Sequence, residues 1–288
     1  MTTVATNATD RPLARVSRTA RAMLRPAELY LLFLVLLIVA GPWVAPFSAY
    51  DFNASASLLG PSWVHPFGTD EFGRDILSRV LVGARPTLLP AFAAATLGIA
   101  AGTVTGLVCG LFGGRVDELI MRSMDILLSF PALILAMLIV TMMGSSIVNL
   151  VLAMSLIFWP RSARLIRSAA LEIGKREFIE ACRARGESLG FILFREMLPN
   201  LRSVVIIDLA LRSSYAILLS ASLAYLGMGA QTPTPAWGLM VKEGQQFIQF
   251  APWLTVFPCL VVAVIATGTV LIGESVRQRF AISTRLAR

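Results

Sequence analysis

Long apolar runs separated by short polar segments fill most of the chain. They fall at residues 27–47, 88–112, 126–144, 147–160, 203–226 and 254–273. All but one approach the roughly 17–25 residues that a helix needs to cross a bilayer's hydrocarbon core. The exception, Ile147–Pro160, would reach about 21 Å of a core about 30 Å thick, so it must either extend back through Gly144–Ser146 or continue past Pro160, and the span is set at residues 147–163. Gly144-Ser145-Ser146 predicts a tight turn that makes the third and fourth runs antiparallel neighbours. The expectation is an all-α integral membrane protein with six transmembrane helices and, between them, loops over residues 48–87, 164–202 and 227–253. Residues 88–273 form its core domain, flanked by tails over residues 1–26 and 274–288.

Composition agrees with this reading. The 288 residues are 56% hydrophobic and 15% charged, with a mean hydropathy of +0.74. A soluble domain is about 45–50% apolar and about 25% charged, so a water-soluble enzyme is disfavoured. The net charge of +8 does not point to nucleic acid, because the basic residues alternate with apolar runs. The anionic lipid of a cytoplasmic leaflet is the better partner. With the N-terminus inside, twenty Lys and Arg residues fall in cytoplasmic segments and four in outer loops, while Arg212 lies within a span. The positive-inside rule then places both termini in the cytoplasm. No small-residue cleavage site closely follows the first run, which reads as an uncleaved span rather than a signal peptide. Cys109, Cys182 and Cys259 have no C-x-x-C spacing, against a disulfide framework or a paired-cysteine zinc site.

Residues suited to catalysis are few. The single histidine, His65, precedes Pro66 and reads as a loop residue, with no second histidine for a metal pair. Gly174-Lys175 lacks the upstream glycine and following hydroxyl of a phosphate loop, so the chain has no such route to ATP. Asp208 and Arg212 lie i, i+4 on one face of the fifth span. Each alone would cost about 2.5–3.5 kcal/mol at mid-membrane. They are either a translocation-path or state-dependent pair, or a self-neutralised pair packed against neighbouring helices.

Three loops add detail. In the first outer loop, Thr69 or Asp70 is the expected N-cap of an amphipathic helix. Its stripe is Ile76, Leu77, Val80 and Leu81, with Asp75 and Arg79 paired on another face, lying along the membrane surface before the span begins at Leu88. The second outer loop, with Pro233, Pro235, Trp237, Pro252 and Trp253, is a cap over a vestibule or a passive interfacial loop. The inner loop is helical in composition, interrupted at Gly174 and Gly186. Its Glu180-Ala181-Cys182, Gly186 and Leu198-Pro199 predict a helix–turn–helix projecting into a partner's cleft, with Pro199 ending the second helix.

These residues resemble the E-A-A-x3-G-x9-I-x-L-P loop of bacterial ABC importer permease subunits: Glu180, Ala181, Gly186, Leu198 and Pro199 match. Cys182 replaces an alanine, and Glu196 stands where isoleucine is usual. Gly68-Thr69-Asp70, Gly73-Arg74-Asp75, Ser78-Arg79 and Gly83-Ala84-Arg85 resemble the signature of the C-type subunits of dipeptide, oligopeptide and nickel permeases. Leu226-Gly227, Pro233, Pro235 and Trp237-Gly238 resemble a second segment of that group. Ser220 departs from the group's frequent glutamate, and Gly273-Glu274 from its Gly-Asp.

The resemblance implies a type I importer permease fold in a bacterial inner membrane, and a non-catalytic subunit forming half of a pore for dipeptides or short oligopeptides. It implies a homologous B-type permease subunit, two ATP-binding subunits or one fused ATPase, and an extracytoplasmic substrate-binding protein. ATP and Mg would be used by those ATPases, with no cofactor on this chain. Glu180 would be a charged contact and Gly186 the turn. A nickel-type permease remains an alternative, as does a stand-alone secondary transporter with Asp208 as its proton site.

Overall fold

Inside a bilayer the backbone must satisfy its own polar groups, and apolar runs do so as helices. In the computed structural model, which describes residues 11–286 and the side chains of residues 28–278, the described residues contain helices and loops and one isolated bridge, Thr69 with Asp75. The N-terminal arginines read as cytoplasmic charge, and the tail beyond Gln278, lie outside the described side chains.

Helix α1 spans Arg11–Val44, α2 Ile76–Phe112, α3 Gly114–Leu128, α4 Ala132–Met143 and α5 Ile147–Ile173. After the short α6, Glu177–Ala184, a π-helical stretch, Phe191–Met197, leads into α7, Leu198–Tyr225; α8, Trp237–Gln245, and α9, Trp253–Leu286, complete the chain. The runs Ile76–Phe112, Phe191–Tyr225 and Trp253–Gln278 are long and apolar enough to cross a membrane, and α3 with α4 is a fourth candidate bent by 88°. The apolar part of α1, Glu28–Val44, is shorter.

Three boundaries differ from expectation. The amphipathic surface helix and the second span are one helix, because Asp75, not Thr69 or Asp70, caps it: its carboxylate accepts from the Ser78 N–H at 2.8 Å. Ile76 and Val80 are therefore buried in protein instead of lying on lipid. The third run breaks over residues 129–131, since Pro131 disfavours helical geometry at Phe130 and has no N–H to give. Pro199 terminates nothing. It lies in the first turn of α7, where the preceding π-helical stretch bonds the Leu198 N–H to the Leu193 carbonyl. The expected run beyond Pro160 is present, as α5 continues to Ile173.

The helices pack most extensively where α2 meets α5. Gly98, Gly102, Gly106 and Gly110 recur every fourth residue along α2, so their faces coincide. A Cβ on Gly102 would lie 2.5 Å from Ser162 Cβ and 2.8 Å from the Ala163 nitrogen. Small residues let the two backbones touch, which substitutes for a hydrophobic driving force that lipid does not supply. Two large apolar cores result, beside a small cluster of Ala224, Ala230, Ala236 and Leu239. One centres on Leu88, Ile99, Met154 and Ile217; the other, on Leu107, Ile166, Ile179 and Met197, sits beneath the α5–α7 connection.

Candidate functional site

The connection between α5 and α7 carries the residues expected to couple the chain to a partner. Helix α6 is amphipathic over two turns. Ile179 and Cys182 are buried in the second core, whereas Glu180 and Ala181 on the same helix are exposed. The Arg183 guanidinium donates to the Leu111 carbonyl at 2.9 Å, tying α6 to the last turn of α2, where carbonyls lack intrahelical partners. Gly186 ends the element with φ of +74°, a conformation that side chains with a Cβ disfavour, while the Glu187 N–H reaches back to the Cys182 carbonyl at 3.2 Å. Phe178, Leu189 and Phe194 are exposed apolar residues around this turn. Leu198 is half-buried and Pro199 exposed. The unit thus has a fixed inner face and an open outer one.

A polar network lies deeper, on the helices that flank the unit. Arg212 Nε is 2.8 Å from Asp208 Oδ1, forming the expected i, i+4 pair on α7. Ser162 on α5 completes it: its hydroxyl donates to Asp208 Oδ2 at 2.5 Å and accepts from Arg212 Nε at 2.9 Å. All three are buried or half-buried, and the network joins α5 to α7 above the second core. Nearer the end of α5, Arg167 grips Asp117 of α3 with both nitrogens, and Arg164 pairs with Asp125. The helices entering and leaving the α5–α7 connection are thereby bound to their neighbours by charge.

At the opposite end, residues 45–75 form an ordered loop rather than a passive connector. The expected Asp75–Arg79 pair does not form, because Asp75 is spent on its cap and on His65, whose Nδ1 lies 2.9 Å away. Arg79, only 1% exposed, turns instead to Glu243 of α8 at 3.0 Å and to Asp70 at 3.6 Å. Arg74 Nε binds Asp70 at 2.6 Å, with its guanidinium 4.6 Å from the Phe72 ring. Thr69 bridges the loop, donating to the Ala56 carbonyl and accepting from the Leu59 N–H. Gly68 and Gly73 have φ of +76° and +72° and pack against backbone that leaves no room for a Cβ. Burial pushes the Glu71 and Glu243 carboxyls above their ordinary values, partly opposed at Glu243 by Arg79 and Arg74.

Trp237 is fully buried, its indole N–H donating to the Val80 carbonyl at 2.8 Å. Neither reading of the second outer loop anticipated this: α8 packs into the bundle and supplies a counter-charge. Gly68, Thr69, Asp70, Gly73, Arg74 and Asp75 are brought together in this loop, where His65, Arg79 and Glu243 join them. Neither Glu243 nor Ser162 stood out in the sequence, since each lies far in the chain from the residues it binds.

The family described as binding-protein-dependent transport system inner membrane component matches residues 102–282. The chain belongs to that family. It is a multi-pass membrane permease of the ABC importer type, a class that leaves ATP hydrolysis to partner subunits. The dipeptide transport system permease protein DppC of Alkalihalophilus pseudofirmus is 40% identical over 243 residues, covering 84% of this chain and 80% of that one. The glutathione transport system permease protein GsiD of Shigella sonnei is 38% identical over 256 residues, covering 88% and 84%. An inward-facing structure of the MetNI methionine ABC transporter superposes with a TM-score of 0.54 at 19% identity, over 69% of this chain and 96% of that one. That likeness speaks for the fold alone.

Proposed function

We propose that the chain is the C-type permease subunit of an ATP-driven importer in a bacterial inner membrane, forming half of a pore for dipeptides or short oligopeptides. It crosses the membrane six times with both termini in the cytoplasm. The α5–α7 connection then faces the cytoplasm and the ordered 45–75 loop faces outward. A homologous B-type subunit completes the pore, ATP-binding subunits engage α6, and an extracytoplasmic binding protein delivers substrate at the loop end. Support for a peptide cargo comes from the relatives named for dipeptide and glutathione transport.

The observation that carries this reading is the two-faced α6, with Ile179 and Cys182 anchored in the core and Glu180 and Ala181 left open. A helix held to the ends of α2, α5 and α7 can pass a push from outside to the bundle, provided its contacts differ between transport states. Gly186 sets the turn, and Glu180 supplies a charge to the partner's cleft. ATP and Mg act on the partner ATPases. Asp208 is occupied by Arg212 and Ser162, an arrangement poorly suited to the free proton site of a stand-alone transporter. In the assembled complex, Glu180→Cys should crosslink to an ATPase subunit through a short bismaleimide. Crosslinking absent at every nucleotide state would overturn the docking role, and uptake of nickel chelates without peptides would overturn the cargo.

A further inference from the structure

Between the end of α1, the first half of α2 and the start of α5 lies an open groove of about 700 Å³, separate from the polar network and from α6. Its lining changes character along the bundle axis. Arg85, Ser48, Tyr50 and Thr234 line the end nearest the ordered loop. Leu89 lies one turn below Arg85 on α2 and Ala93 about 12 Å below it, with Val151 of α5 opposite. Arg74 and Arg79 nearby are committed to carboxylates. Arg85 is exposed, and no ion pair engages it among the described residues. A cation thus stands near Leu88, where the apolar run begins, above a groove walled by Leu89, Ala93 and Val151.

We propose that this groove holds one anionic phospholipid, its phosphate on Arg85 and an acyl chain along Leu89, Ala93 and Val151. A free anion would satisfy Arg85 but leave the apolar walls uncovered, and an apolar helix would cover the walls but bury Arg85 without a counter-charge. One amphipathic molecule meets both demands in the order in which the groove presents them. The proposed function enters only in assigning the site to the outer leaflet; binding itself does not depend on transport.

The test supplies the purified full-length chain, in mild detergent, with equal amounts of phosphatidylglycerol and phosphatidylcholine of the same acyl composition. Retained lipid is counted by native mass spectrometry. The unaltered chain should keep phosphatidylglycerol over phosphatidylcholine. Arg85→Gln should lower that retention about fivefold, the worth of one basic residue near a charged surface, while Arg85→Lys keeps most of it. Ala93→Trp, which fills the apolar end without touching charge, should reduce retention of both lipids, and glycerol phosphate without acyl chains should not compete. Equal retention of the two lipids, or retention unmoved by Arg85→Gln, would overturn the site. So would an Ala93→Cys variant that crosslinks to the second permease subunit in the assembled transporter, since a protein helix would then occupy the groove. A lipid-free groove would leave the importer reading standing, and a chain that transports nothing would still bind the lipid.

Discussion

Removing one charge from the Ser162–Asp208–Arg212 network should cost more than removing two. Arg212→Gln leaves the Asp208 carboxylate, 4% exposed, with Ser162 as its remaining partner. Breaking a buried ion pair in this way costs about 3–5 kcal/mol. Asp208→Asn is milder, about 1–3 kcal/mol, because the Arg212 side chain is 17% exposed and keeps its bond to Ser162. The double variant replaces two charges by two neutral amides and should cost about 1 kcal/mol, so the cycle should show a coupling of about 3–7 kcal/mol. Denaturant titration of the purified chain in micelles, followed through its five tryptophans, reads each cost. Additive costs in the double variant would refute the network. Uptake should follow stability, with the double variant recovering what each single change loses; a double variant that is stable yet inert would give Asp208 or Arg212 a direct role on the transport path.

Other expectations follow from the packing and the loops. Gly102→Val drives side-chain atoms into the α5 backbone and should cost at least about 3 kcal/mol, whereas Gly190→Ala, which meets open space, should be nearly neutral in the same titration. The raised Glu71 carboxyl means that, between its ordinary value of 4.5 and the raised one, the folded chain holds more protons than the unfolded chain. Its contribution is therefore fully present below 4.5 and lost as pH rises. Glu71→Gln should accordingly show its greatest gain over the parent at neutral pH and lose that gain on acidification, measured as unfolding midpoint against pH. Gly186→Val should fold but cost about 1–2 kcal/mol for its left-handed turn, and a transporter assembled with it should hydrolyse ATP through its ATPase subunits with reduced uptake; one assembled with Gly186→Asn should retain both hydrolysis and uptake.

Much of this fold was legible because bilayer physics writes itself into composition: the apolar runs are helical apart from residues at their ends, 45–47 among them, and the break at residues 129–131, and Gly174 and Gly186 flank α6. Boundaries failed where one local residue outweighed the pattern. Asp75, which the i, i+4 spacing pairs with Arg79, caps the helix in place of Thr69 or Asp70, and Pro131 breaks a run that hydropathy reads as continuous. The spacing predicts a helical stop at Pro199, but Pro199 stands in the first turn of α7, where its missing N–H breaks no helix. The glycines of α2 carry a readable signal in their four-residue spacing, which marks the face that α5 covers. Ser162 and Glu243 carried none, because a serine beside a charged segment and a glutamate in a loop acquire meaning only once tertiary packing brings them to Asp208 and Arg79.

On the proposed function, this chain moves because a partner's ATP hydrolysis pushes on α6. Proteoliposomes holding the complete transporter, with ATP on the α6 side and the binding protein with labelled dipeptide on the other, measure this directly as peptide imported per ATP hydrolysed. Uptake should require both ATP and the binding protein, and the ratio should collapse in Glu180→Arg while ATP is still consumed. Uptake that continues without nucleotide, or a ratio unchanged by Glu180→Arg combined with Gly186→Val, would contradict it.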